Sequence, residues 1–192
     1  MSAPTTASTR NWNGLTLPTP GVFAIDTAHA RAGFVARHLM VSKVRGGFSG
    51  VTGEITVAED PTASSVTATI DATTIDTGQA DRDAHLKSPD FLDVEKFPTL
   101  SFRSKRITNV DGNTFTLVGD LTIKDVTREV ELEVEYEGVA VNPWGKEVIG
   151  FTARTEIDRE DFGMTWNVAL ETGGVLVGKK VTIEIEAEAI RQ

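Results

Sequence analysis

Cysteine is absent from all 192 residues. That excludes disulfides, thiolate nucleophiles, Cys-based zinc sites and haem attachment through Cys-x-x-Cys-His. A cationic surplus is absent as well: 28 Asp and Glu outweigh 19 Lys and Arg, leaving a net charge of −9. Nothing is available to neutralise phosphates, so no nucleic-acid partner is expected. No apolar run approaches the roughly 18 residues of a spanning helix. Residues 1–20 are rich in Thr, Ser, Ala and Pro and have no apolar leader core. A soluble cytoplasmic chain without a membrane-spanning segment is the expectation. Gly-x-Ser-x-Gly is missing, and Gly173-Gly174 and Gly178 open no helix, so neither a nucleophile elbow nor a phosphate loop is read. Asp26 with His29, and Asp81 with His85, have spacings that chance supplies readily. No metal site, no catalytic residue and no obligatory cofactor is expected.

What is present is alternation. Val130, Leu132, Val134 and Tyr136 alternate with Glu129, Glu131, Glu133, Glu135 and Glu137. Val181, Ile183, Ile185, Ala187 and Ala189 alternate with Thr182, Glu184, Glu186 and Glu188. Period two means extended strands with one dry and one wet face. Such a strand of about twelve residues is double the usual five or six, which points to a tall, curved antiparallel sheet.

Along the chain, residues 1–20 read as a flexible arm, with Trp12, Leu15 and Leu17 available to pin it and Pro18 and Pro20 excluding a helix. One domain follows over 21–192. Strands are expected over 22–26, 33–41, 48–57, 66–71, 100–107, 114–124, 126–137, 147–158 and 179–190. Gly46-Gly47 reads as a turn or bulge. A short polar helix over 80–87 sits inside a long connection, the kind that forms lids and binding loops. Asp111-Gly112-Asn113, Asp125 and Asn142-Pro143-Trp144-Gly145 mark tight turns. The fold class is therefore all-β, an extended antiparallel barrel of about eight strands, wide enough inside for side chains or one small ligand.

Several segments in order resemble the YceI-like family of lipocalin-like, isoprenoid-binding proteins. They are Ile25-Asp26-Thr27-Ala28-His29, Phe34-Val35-Ala36-Arg37-His38 with Gly47-Phe48-Ser49-Gly50, and Ile75-Asp76-Thr77-Gly78. Arg82 to Ser88, Asp90-Phe91-Leu92, Phe97-Pro98, Gly119 to Ile123 and Arg159 to Met164 complete the series. Ala30 stands where the family usually has Ser. The resemblance implies a barrel with an apolar bore that holds polyprenyl compounds or isoprenoid quinones.

An apolar tube suits an isoprenoid tail, since each buried CH₂ contributes about 0.8 kcal/mol and no polar group along the tail needs a partner. Candidate wall residues are Phe34, Ala36, His38, Phe48, Phe102 and Phe115, with Leu117, Leu132, Val134, Ile149, Phe151, Ile183 and Ile185. Phe91, Leu92, Phe97, Phe162, Met164 and Trp166 are candidates for a lid or plug. The expected function is to bind and carry or sequester a long-chain isoprenoid lipid. Two alternatives stay open: a filled barrel acting as an interaction module through its Glu-rich face, and an enzyme for a hydrophobic substrate using His38, Arg103 or Asp161. A homodimer through an edge or mouth contact is also left open.

Overall fold

A computed structural model describes residues 6–192. Most of the expected strands form, several with longer ends, but the one over 33–41 stops at His38 and the one over 114–124 stops at Ile123. The one over 48–57 starts only at Val51, Phe48 ending a separate strand, Ser42–Phe48. The strands are β1 (Thr9–Trp12), β2 (Leu15–Pro18), β3 (Gly21–Ile25), β4 (Arg31–His38), β5 (Ser42–Phe48), β6 (Val51–Val57), β7 (Ser65–Asp71) and β8 (Ile75–Asp76). Helix α1 (Ala80–Lys87) precedes β9 (Thr99–Asp111), β10 (Thr114–Ile123), β11 (Val126–Val141), β12 (Glu147–Asp158) and β13 (Val177–Arg191). Eight strands close an antiparallel ring in the order β12, β11, β10, β9, β7, β6, β3, β13, with β13 returning to β12. At about 3.3 Å per residue the 16 residues of β11 run roughly 50 Å along the strand.

Two staves of the ring are broken. β4 takes over from β3 along the edge of β13, with β3 pairing residues 189–191 and β4 pairing 177–186. The break is a 3-10 turn, Thr27–His29, capped by the Asp26 carboxylate, which accepts from the Ala28 N–H. β5 and β6 are separated in the same way at Ser49–Gly50, β5 pairing β4 and β6 pairing β3. Beyond β8 the wall is continued by α1 and residues 88–98.

Gly46-Gly47 is not a turn; both residues lie inside β5. A Cβ on Gly46 would sit 2.6 Å from Phe34 Cζ, and one on Gly119 would sit 2.5 Å from Phe102 Cζ. Each glycine leaves room for an aromatic ring to lie across its strand, the close approach for which strands use glycine.

The arm expected over 1–20 is structured where it is described: β1 and β2 pair as a hairpin, register Thr9 to Pro18. Residues 1–5 lie outside the described residues. α1 is the one α-helix among the described residues, and no helix is long and apolar enough to cross a membrane.

Candidate functional site

The dry faces of the ring enclose a cavity of about 370 Å³, toward the lower end of ligand pockets at roughly 300–1,000 Å³. Its wall is built by alternation. β11 gives Val130, Leu132, Val134 and Tyr136; β13 gives Val181, Ile183, Ile185 and Ala187; β12 gives Phe151, Ala153, Thr155 and Ile157. The Glu residues of β11 point outward, where Glu129 pairs with Lys105 at 3.1 Å and with Arg106 at 3.1 Å.

Fourteen of the nineteen candidate residues line the cavity. Phe34, Ala36 and Phe48 come from the broken staves. Phe102, Phe115, Leu117 and Phe151 come from β9, β10 and β12, and Phe91, Leu92 and Met164 from the two irregular segments. Leu132, Val134, Ile183 and Ile185 line it too.

Five candidates lie elsewhere. His38 shares the phase of Ala36, but β4 there runs out into the turn at Leu39 and the ring lies outside the lining. Phe97 sits beneath the Lys96 ammonium, 5.1 Å from its ring centre, on the outer side of the 88–98 segment. Phe162 is buried behind the lining. Trp166 stacks edge-on against His85 at 4.6 Å and on Phe91 at 5.5 Å, as an outer layer. Ile149 has the inward phase but is consumed by a solid cluster with Phe23, Val57, Tyr136 and Ala189. None of His38, Arg103 and Asp161 lines the cavity.

Each end of the tube is closed differently. One end carries the β9–β10 and β11–β12 turns and the N-terminal hairpin. Trp12, Leu15, Leu17 and Pro18 reach the cavity there, beside a polar rim of Ser64, Ser65 and Asn113. The Tyr136 hydroxyl donates to the Thr16 carbonyl at 3.1 Å. Burial, with the Glu147 carboxylate nearby, pushes that phenol up to about 12, so it stays a neutral donor. The Arg10 guanidinium donates to the carbonyls of Pro18, Ala58 and Glu59, fastening the hairpin at its edge.

The other end is plugged from within. Leu86, Phe91, Leu92 and Met164 form the floor, and Arg159 reaches the cavity among them. Arg159 is 3 % exposed. Its guanidinium donates to four carbonyls, those of Gly178, Met164, Trp166 and Val177. Burial lowers its pKa, yet a guanidinium so lowered stays a cation. Among the described residues it is the one charged side chain on the wall. Arg159 is not among the candidate site residues that alternation and loop composition mark in the sequence. The available signal was a lone arginine in Ile157-Asp158-Arg159, at the end of an inward-facing series.

On the outside, Asp26, His29 and Glu188 bring one ligand atom each within 4.8 Å. The Asp26 carboxylate is already engaged, by the Ala28 N–H and by His29 Nδ1 at 2.7 Å. That contact lowers Asp26 and raises His29 from their ordinary values.

Known proteins share this design. A UPF0312 protein of Staphylococcus aureus strain N315 is 42% identical over 171 residues, spanning 86% of this chain and 95% of that one. The crystal structure of BcnA from Burkholderia cenocepacia superposes with a TM-score of 0.72 at 21% identity, over 85% of this chain and 98% of that one. A polyisoprenoid binding domain from Saccharophagus degradans, implicated in plant cell wall breakdown, gives 0.69 at 10% identity over 88% and 98%. The YceI-like domain matches residues 23–189, and the chain belongs to the YceI-like family.

Proposed function

We propose that the protein binds a long-chain isoprenoid lipid, a polyprenyl compound or an isoprenoid quinone, in its bore and carries or sequesters it. The observation that carries this reading is the apolar wall, broken along its staves only by the Thr155 hydroxyl, with the other polar groups gathered at the two ends. A five-carbon isoprene unit contributes about 4 kcal/mol at ~0.8 kcal/mol per buried carbon. About three units therefore offset an association cost on the order of 10 kcal/mol. The family membership and the likeness in fold to the S. degradans domain support the ligand class. Tail length is read by the distance from the Phe91–Met164 floor to the polar rim, and the head group by Arg159 or by Ser64, Ser65 and Asn113.

Native mass spectrometry of protein purified without detergent tests the reading. A discrete added mass of several hundred daltons that leaves on denaturation is the expected result, recoverable by chloroform–methanol extraction. A bare chain that also takes up neither polyprenol nor quinone when offered would overturn it. Ala153→Phe, a filler in mid-bore, should lose the added mass while the barrel stays folded.

A further inference from the structure

Charge is unevenly placed in this acidic chain. Residues 27–53 hold Arg31, Arg37, Lys43 and Arg45 and not one of the 28 carboxylates. β4 and β5 fold that segment into a hairpin at the plugged end, and Arg37 and Lys43 face each other across it just before the turn. Both are exposed and join no ion pair among the described residues. The other cations nearby, Arg45, Lys179 and Lys180, are held by Glu184, Glu160 and Glu156 at 3.6, 2.8 and 4.0 Å.

The turn itself is unusual. The Val41 N–H donates to the His38 carbonyl at 3.2 Å, and Leu39 and Met40 between them have φ of 51° and 60°. Two successive positive φ values are what a type I′ turn requires, and Asn-Gly is the pair that adopts them with least strain. This chain uses Asn13-Gly14, at 48° and 85°, between β1 and β2. Placing leucine and methionine in the left-handed region is unfavourable. Nothing in the fold is gained in return, because Leu39, Met40 and Val41 are 38, 53 and 81% exposed.

The apolar tip is wider than the turn. The Leu39 N–H donates to the Leu176 carbonyl at 2.8 Å, and the Leu176 N–H to the Val168 carbonyl at 2.9 Å. This brings Val168, 46% exposed, alongside. The segment 162–178 that carries it contains a single carboxylate, Glu171.

The geometry points to the Leu39–Met40–Val41 tip with Arg37 and Lys43 as a docking edge for an anionic lipid bilayer. Side chains for shallow insertion plus unpaired cations behind them are the two signals that together hold a peripheral protein on such a surface. A local rule broken with no folding gain is what a binding surface costs. The remaining negative charge opposes docking weakly, since charges more than about 10 Å away are screened at ~0.1 M salt. The inference does not rest on the cargo, so vesicle binding and bound mass succeed or fail separately.

Flotation with vesicles of phosphatidylglycerol and phosphatidylcholine tests it. Wild type is expected to float with mixed vesicles and not with pure phosphatidylcholine. Leu39→Asn with Met40→Gly installs the pair the turn prefers; it should keep or raise Tm while cutting the bound fraction about tenfold. Arg37→Gln with Lys43→Gln should abolish the preference for the anionic lipid. Trp144→Ser, at the other 81% exposed apolar residue and the opposite end of the barrel, should change nothing. A wild type that does not float, one that floats equally on pure phosphatidylcholine, a Leu39→Asn/Met40→Gly variant that binds like wild type, or loss of binding in Trp144→Ser would each overturn the inference.

Discussion

At one end of the bore a two-stranded ribbon lies across the opening, tied by a phenol hydrogen bond and by the half-buried edge contacts of Arg10. At the other, side chains from the barrel's own loops pack inward around a buried guanidinium that links four carbonyls. The ribbon reaches the bore with Trp12, Leu15, Leu17 and Pro18, but only Leu17, itself partly buried, packs on a core cluster. The plug is continuous with the main hydrophobic cluster, through Phe91, Leu92, Phe162 and Met164. Elements with few buried contacts open at a small fraction of the global free energy, whereas core elements open only with the whole fold. The hairpin end is therefore the door that the proposed ligand would use, and the plugged end is the floor.

Arg159→Met gives the largest effect. It removes the guanidinium donors to all four carbonyls, of which Val177 alone keeps a second side-chain donor, Asn167 Nδ2 at 2.8 Å. Orphaned buried acceptors cost about 1–3 kcal/mol each where they find no water. A net loss of about 3 kcal/mol lowers Tm by roughly 6–12 °C, readable by circular dichroism. An unchanged melt would erase the contrast between the ends. Deleting residues 1–18 should leave the ring folded, with a Tm within a few degrees, and speed release of a bound polyprenyl probe. Slower or unchanged release would mean the tail leaves elsewhere.

Tyr136→Phe cuts only the tie to Thr16. About 1 kcal/mol should appear as faster amide exchange over residues 9–18, with the plug unaffected. The smallest effect belongs to the Asp26–His29 contact at the break in the stave. His29 is raised, so its contribution is complete below its ordinary value of 6.5 and fades as pH rises through the folded value. Asp26 is lowered, so its contribution is complete above 3.8 and fades as pH falls through the folded value. The pair is exposed, which keeps both effects small. His29→Gln should flatten the slight loss of Tm on the alkaline side of 6.5, and a slope that persists would assign it to another group.

The long staves were legible because alternation reports both the strand and the face that dries. Val130 to Tyr136 and Val181 to Ala187 line the bore as their period requires. The helix was read from its polar composition to the residue. Phase could not say where along a stave the cavity ends. His38 and Ile149 both have inward phase, yet one lies past the floor and the other is sealed in a solid end cluster. Gly46-Gly47 was misread because a glycine pair signals a turn locally, and here the reason is a ring from a neighbouring strand. Arg159 was missed because its partners are backbone carbonyls from segments up to 19 residues away, which carry no sequence signature.

The last strand touches three others. β13 pairs with β12 before it in sequence and with β3 and β4 from the start of the chain. During synthesis at roughly 5–20 residues per second, the barrel stays an open sheet until its final residues leave the ribosome. Until then β3, β4 and β12 present unpaired edges, and the greasy inner face has no enclosure. Closure joins the two extremes of the chain, a non-local step that makes folding slow. A chain cut before Val177 is therefore not a barrel with one stave fewer. It is a curled sheet with two sticky margins, and its fate is aggregation or a chaperone.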